Sequence, residues 1–516
     1  MTNLKKYIID ILLIIIVLIP SSYLRLKDLS YSDYIGDEQK SFIHLKQGQN
    51  LFDFFMIQRK GPMQFFVSYI PYFFTGTYRN EGVVRFPFAL LSIASVAMFY
   101  ILVKKITKSR TAAFVAAALL GSNGFFVGFG RIAQYQNLNL LFSFLSIYFA
   151  HDLLVKNIHF NRSAMLSVLF FTLSFFSHWD AVYILPVLAA YFIAFIIRRD
   201  VAKNTKLLLI RNCLIFGAIT ILPFMVPYLL TLKASEENQN YFSRRVEPGL
   251  MDINYYKFLI DLYNPQLTFI TVSAMAAFGA LRIKKSWVFI IWGVLTFLIF
   301  LFLFRKPGTH IYNFILPALV LAGIGVDILV TYLPRVLKFV PIIVVIPLLS
   351  FFYFQSYVYF VDHTREYPWQ QKELYRISRN YRVSKGNKIE AFLYNLATYK
   401  TPVYTMEQKL PLFGFPHHRY WNEVNAFIIE QNKLNNENYA YLTNEDKSVS
   451  EWYMEVKYSD KTNFYGVGIY RPTNFVPDWS FGVYGPNRTV VKEFGANGVV
   501  TRVFKIPRNT VISTTK

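Results

Sequence analysis

The sequence predicts a mainly α-helical, polytopic membrane protein of about eleven transmembrane helices, followed by a soluble α/β or α+β domain. Three observations predict it. Of 516 residues, 54% are hydrophobic and only 16% charged, where a soluble chain carries about a quarter charged residues. Apolar runs long enough to cross ~30 Å of hydrocarbon at ~1.5 Å per residue recur from Tyr7 to Phe360. From Val361 these runs give way to a composition rich in Asn, Tyr, Glu and Lys.

The first run, "YIIDILLIIIVLIPSSYL" (Tyr7–Leu24), follows "NLKK" in the manner of a signal peptide, but "RLKDLSYSD" rather than a small-residue cleavage site comes after it. It reads as an uncleaved first span. Further spans fall near 83–103, 111–130, 133–155, 163–178, 180–197, 207–231, 265–281, 287–304, 311–333 and 337–360. The fifth and sixth are separated at "SHWD", because one helix over 163–197 would run roughly 50 Å. A cytoplasmic N-terminus then puts Lys104, Lys105, Lys108, Arg110, Lys156, Arg162, Arg198, Arg199, Lys203, Lys206, Arg211, Arg282, Lys284, Lys285, Arg335 and Lys338 in inside loops. The short outside loops hold only Arg131, Arg305 and Lys306. That asymmetry fits the positive-inside rule and leaves residues 361–516 outside the cytoplasm.

The domain boundaries expected are thus 1–360 for the membrane part and 361–516 for the soluble part. Two long outside loops interrupt the former, 25–82 and 232–264. The first reads as amphipathic helices in the outer interface, with Pro71 breaking the second of them. The second loop is polar and reads as mobile. In the soluble part, "NFYGVGIYR" and "TRVFKIPR" alternate as strands do.

The formal net charge of +23 falls largely in the short loops, where orientation explains it, so no nucleic-acid partner is implied. One cysteine, Cys213, within an apolar run, excludes an intrachain disulfide and a Cys-based metal site.

Five stretches carry candidate chemistry. Asp37 and Glu38 stand just past the first span; acids in a first helical turn complement the helix dipole, and one of them would also serve as a general base for an acceptor from outside. Arg59 and Lys60 in "QRKGPMQFF" are either an interfacial anchor or donors to phosphate oxygens. Arg131 is followed by Gln134, Gln136, Asn137 and Asn139, polar residues that face a wet cavity or bond between helices. His178 and Asp180 make a capped turn or line that cavity. Arg305, Lys306, His310 and Tyr312 in "FRKPGTHIYNFILP" run against the positive-inside trend, which an anion outside, most simply a lipid-linked phosphate, would explain.

Taken in order, "GDEQ", "RKGPMQFFVSYIPYFFTG", "VVRFPFALLSIASVAMFYILVKKI", "GRIAQYQNLNLLFSFLSIYF", "SHWDAVYILP" and "KPGTHIYNFILPAL" resemble the GT-C-fold glycosyltransferases. The branch is that of protein O-mannosyltransferases and the lipid A aminoarabinose transferase. The likeness covers Tyr7 to Ile324 and is poor in the C-terminal domain. It implies transfer of a sugar from a polyprenyl monophosphate to a glycan, lipid or protein acceptor outside the cytoplasm, with inversion. It further implies Asp37 as base, Glu38 beside it shaping the site or binding acceptor, and Lys60, Arg131, Lys306 and His310 on the lipid phosphate. No cofactor or obligatory metal is implied. Gln136 stands where relatives often have Asp, which puts a second acid in doubt, and "DWS" at 478–480 lacks the WWD signature of oligosaccharyltransferases. A transporter or flippase, or a non-catalytic binder of lipid-linked sugars, is the competing expectation. The first of these should show matched halves with broken spans, which the sequence lacks.

Overall fold

The structure is a computed structural model that describes residues 2–58, 60–155, 159–234, 250–305, 307–363, 388–398, 412–459, 463–469, 489–495 and 500–506. A helix stands at each of the eleven expected places. Among the described residues, seven helices have the length and apolar composition to cross a membrane: Tyr7–Leu26, Glu81–Thr107, Trp179–Ile196, Lys203–Thr231, Ile283–Leu303, Gly308–Tyr332 and Phe339–Phe360. Large apolar side chains such as Ile215, Ile219, Leu222 and Val226 are exposed along the helix Lys203–Ala234, as a lipid-facing surface requires.

The centre of the bundle is the alanine-rich helix Arg110–Ser122, capped by the Ser109 hydroxyl on the Ala112 amide and buried along nearly its whole length. Small side chains let backbones approach without a hydrophobic drive between helices. The same device joins Gln266–Ala280 to Tyr312–Tyr332, where a Cβ on Gly279 or Gly325 would collide with the facing carbonyl of Leu321 or Met275.

At one end of the bundle the basic loops are collected by three acids. Asp10 receives Lys104, Arg110 and the Tyr100 hydroxyl; Asp152 receives Lys105; Asp327 receives Ser109, Arg282 and Lys285. The loops expected on the inside therefore share one end.

Several local expectations are corrected. The span 111–130 is two helices, Arg110–Ser122 and Gly124–Phe129, because Asn123 is extended (φ −69°, ψ 132°) and its side chain caps the Phe125 amide at 3.1 Å. The first interfacial helix shrinks to Gly36–Gln39; the chain is irregular until Asn50 caps Leu51–Met56. Pro71 does not break the next one, which runs from Pro62 to Thr75 and ends at Gly76 with φ 68°. Of the loop 232–264, residues 235–249 lie outside the described residues, while Ile253–Tyr263 is a helix that buries Tyr256, Leu259, Leu262 and Tyr263 in the core. Its apolar residues recur at helical spacing among polar ones, a pattern that marks a packed surface helix rather than a mobile loop. The turn between the fifth and sixth spans is where expected, at His178 (φ −167°, ψ 151°).

Beyond the bundle, Lys388–Ala397 packs on the last membrane helix through Gln355 and Tyr359, which donate to the Ala397 carbonyl at 2.8 and 2.6 Å. A mixed sheet follows, of β1 (Ala440–Thr443), β2 (Phe464–Ile469), β3 (Val490–Phe494) and β4 (Thr501–Ile506), in the order β1-β2-β4-β3. β1 and β2 are parallel and bridged by the helix Lys447–Tyr453; the other pairs are antiparallel. Both strands foreseen from alternation are β2 and β4. "DWS" lies outside the described residues.

Candidate active site

At the end of the bundle opposite the acid-collected loops, residues 28–38 are gripped by two buried arginines. Arg85 forms a two-pronged pair with Glu38 (2.7 and 2.8 Å) and donates to the carbonyls of Leu29, Ser32 and Asp33. Glu38 is fully buried, and its oxygens also accept from the amides of Ile35 and Ala133. Its oxygens are thus engaged by the chain itself, which makes it a clamp for the loop. Arg131 gives its terminal nitrogens to the carbonyls of Leu24, Lys27 and Asp28, at 2.7, 2.8 and 3.3 Å. Burial, reinforced by the charges of Arg85 and Arg25, lowers its pKa to about 9. The guanidinium expected on the lipid phosphate lies against the carbonyls at the end of the first helix.

Asp37 sits one residue before this clamp, half-buried, in the single turn Gly36–Gln39. Its carbonyl accepts from the Lys60 ammonium at 2.9 Å. Lys60 is brought there by Gly61, which lies so close to the Phe176 carbonyl that a Cβ would collide, and by Pro62 starting the helix. The same ammonium stands 5.8 Å over the Tyr135 ring. Tyr135 stacks on His178 (centroids 3.7 Å, 10°), and His178 lies 5.5 Å from the His310 ring.

The third part of the site is the carboxylate of Asp180. It accepts from Tyr312 Oη and His310 Nδ1, both at 2.9 Å, and lies 3.0 Å from His178 Nδ1. The Asp180 amide donates to that same His178 nitrogen, so the hydrogen-bond pattern puts the His178 proton on Nε2 and one His310 proton on Nδ1. His178, Asp180 and His310 place ligand atoms within 4.8 Å of one another, the composition of a divalent-cation site.

Asp37, through its carbonyl, and Lys60, His178, Asp180, His310 and Tyr312 are thus linked by way of the Tyr135 ring at the end of the bundle opposite the acid-collected loops. Arg59 and Lys306 lie outside the described residues. Gln136 is buried, its Nε2 donating to Gln134 Oε1 at 3.0 Å. Sequence reasoning missed Arg85, Tyr135 and Gln64. Arg85 carried a signal, a cation inside an otherwise apolar run; the others did not.

The family described as dolichyl-phosphate-mannose-protein mannosyltransferase matches residues 60–230. No curated protein sequence matches the chain. The crystal structure of ArnT from Cupriavidus metallidurans bound to undecaprenyl phosphate is similar over 96% of this chain and 97% of that one, with 14% identity and a TM-score of 0.51. Its apo form is similar over 98% of both, with 12% identity and a TM-score of 0.50. The likeness shows a shared GT-C fold in a multi-pass membrane protein.

Proposed function

We propose that this GT-C-fold membrane protein is a glycosyltransferase that moves a sugar from a polyprenyl-phosphate carrier to an acceptor outside the cytoplasm. The observation that carries the reading is the Lys60–Asp37 contact. It sets a candidate phosphate-binding cation against the backbone carbonyl of the candidate base, at the end of the bundle away from the basic loops. The similarly folded ArnT binds undecaprenyl phosphate, and the family matching residues 60–230 is described by a mannosyl donor on dolichyl phosphate. Both support a lipid monophosphate as carrier. The positive-inside asymmetry supports a cytoplasmic N-terminus and an extracytoplasmic sheet domain.

In this reading the Asp37 carboxylate takes the proton of an acceptor hydroxyl as its oxygen attacks the anomeric carbon. The carbon–oxygen bond to phosphate breaks on the opposite face, polyprenyl phosphate leaves, and the configuration inverts. Lys60 matches the charge of the leaving phosphate, which is where electrostatic preorganisation contributes most. His310, fixed at Nδ1 by Asp180 and steadied with it by Tyr312, offers a second donor to the phosphate. Arg59, Arg131 and Lys306 stay in this set on the sequence alone. The chemistry calls for no divalent metal.

The test is transfer of radiolabelled sugar from polyprenyl-phosphate donors by membranes containing the chain or Asp37→Asn, assayed in EDTA. The substitution leaves the Lys60–carbonyl bond intact, so donor binding should persist while transfer falls at least about 100-fold. Transfer that survives Asp37→Asn removes the base. Activity that EDTA abolishes removes the metal-free step, and an inactive wild type removes the transferase.

A further inference from the structure

Asp180 is 5% exposed, and its described carboxylate partners are His178, His310 and Tyr312, two imidazoles and a phenol, none of them a fixed cation. A carboxylate buried in this way is expensive unless a positive charge meets it. The contact with His178 sharpens the need. The Asp180 amide donates to His178 Nδ1 at 3.1 Å, so that nitrogen presents its lone pair. Asp180 Oδ1 lies 3.0 Å from the same nitrogen. Two electron-rich atoms therefore face one another with no proton to share, and a cation between them relieves the contact.

The neighbours complete a ligand set. His310 Nδ1 lies 2.9 Å from both carboxylate oxygens, and the ligand atoms of the three residues all fall within 4.8 Å of one another. Ligand atoms about 2.0–2.1 Å from a tetrahedral zinc ion stand about 3.3 Å apart, so small side-chain rotations open the site. Tyr312 Oη donates to Oδ2 at 2.9 Å, which leaves Oδ1 for an ion and holds the carboxylate in place from outside. His178 is the extended residue before the turn Trp179–Ile184, and His310 lies in the turn Gly308–Ile311. One ion would thus tie together two turns more than a hundred residues apart.

We propose that His178 Nδ1, Asp180 Oδ1 and His310 Nδ1 bind one divalent transition-metal cation of the zinc class. Two imidazoles with a single carboxylate suit such an ion, whereas Mg²⁺ and Ca²⁺ take oxygen ligands. The ion settles the state of His310. In the hydrogen-bonded arrangement Nδ1 carries the proton and faces Asp180, so a neutral ring has a bare Nε2 that cannot donate. An ion on Nδ1 moves that proton to Nε2, and a ring already charged releases one proton to water. Nε2 then donates, as the proposed phosphate contact requires. Sugar transfer itself does not pass through the ion. Its effect on donor affinity rests on the transferase reading; its binding does not.

The test uses the purified, tag-free full chain, stripped with EDTA and titrated with Zn²⁺, Co²⁺ or Mg²⁺. One equivalent of Zn²⁺ should bind, Co²⁺ should show the visible absorption of a low-coordinate site, and Mg²⁺ should not compete. Asp180→Asn and His310→Gln should each lose the Co²⁺ signal. Tyr312→Phe, which removes only the outer hydrogen bond, should weaken Zn²⁺ binding about 10- to 100-fold. Asp37→Asn, outside the ligand set, should load as the wild type does. No stoichiometric Zn²⁺ in the wild type overturns the proposal, as does loading that survives both ligand substitutions or Mg²⁺ that binds equally well. In the transfer assay the stripped chain should remain active at saturating donor, with a donor KM raised several-fold and restored by Zn²⁺. An unchanged KM overturns the effect on His310. Zn²⁺ binding as described in a chain without transfer upholds the site and overturns the transferase reading.

Discussion

At the scale of single residues, the site is organised by a buried ion pair. Arg85 and Glu38 have side-chain exposures of 2% and 0% and meet at 2.7 Å. Such a pair contributes little net stability by itself, but removing one partner strands a charge at a cost of about 3–5 kcal/mol. Arg85→Met should therefore lower stability by about that amount, and adding Glu38→Gln to it should restore much of the loss. Unfolding in detergent, followed by denaturant or temperature, measures both. If the single variant is no less stable than the double, the pair is not what holds the loop. The acidic side of this pair was legible as a candidate, since two adjacent acids beyond a span stand out in a basic chain. Its structural role was not, because the partner is 47 residues away and only the fold brings it near.

At the scale of elements, hydropathy located all seven helices that, among the described residues, are long and apolar enough to cross a membrane, because a run of apolar side chains is enforced by the lipid itself. It did not locate the break at Asn123. That break depends on a neighbour far along the chain, the Asn264 side chain, which accepts from the Gly124 amide at 2.9 Å. Nor did it show which glycines are contacts. Gly279 and Gly217 both lie within apolar helices, yet a Cβ on Gly217 meets only Val168 at an ordinary 3.6 Å, whereas one on Gly279 runs into backbone. Rigid backbone cannot yield as a side chain can, so Gly279→Ala should cost about 1–3 kcal/mol and Gly217→Ala close to nothing. Melting temperatures of the two variants in the same detergent decide it, and equal values would remove the close crossing of Gln266–Ala280 with Tyr312–Tyr332. Gln134 and Gln136 were legible as polar residues that face a wet cavity or bond between helices, and only the folded chain shows that they bond to one another, at 3.0 Å.

At the scale of the whole molecule, the soluble part is fastened to the loop that carries Asp37. Residues 412–420 insert beside the membrane helices: the Phe413 amide donates to Tyr263 Oη at 2.8 Å, and Phe415 stacks on Phe360. They then meet the loop itself. The Asp33 carboxylate accepts from His418 Nδ1 at 3.1 Å and from the Arg419 amide at 2.6 Å, and the Asp33 amide donates to the His417 carbonyl at 2.7 Å. Tyr453 completes the seam, accepting from the Tyr34 amide and donating to Glu81, each at 2.7 Å. This seam has a titratable member. Burial lowers the pKa of His418, but the hydrogen bond and charge of Asp33, helped by Glu423 and opposed by Arg419, more than offset it, and the net shift is upward from 6.5. A histidine whose folded pKa is raised stabilises the folded contact fully below its unfolded pKa and loses that contribution as pH rises through the folded value. The seam should therefore be tightest in mild acid and loosen progressively above about pH 6.5, where His418 begins to lose its proton. Hydrogen exchange of residues 412–420 in the full chain, between pH 5.5 and 8.5 and corrected for intrinsic rates, should show protection falling with pH, and His418→Gln should flatten that dependence. Protection that rises with pH, or a slope that survives the substitution, would assign the pH response to another group. If the slope belongs to His418, sugar transfer should follow it, because Asp33 lies four residues from Asp37 in the loop that Arg85 holds against the bundle.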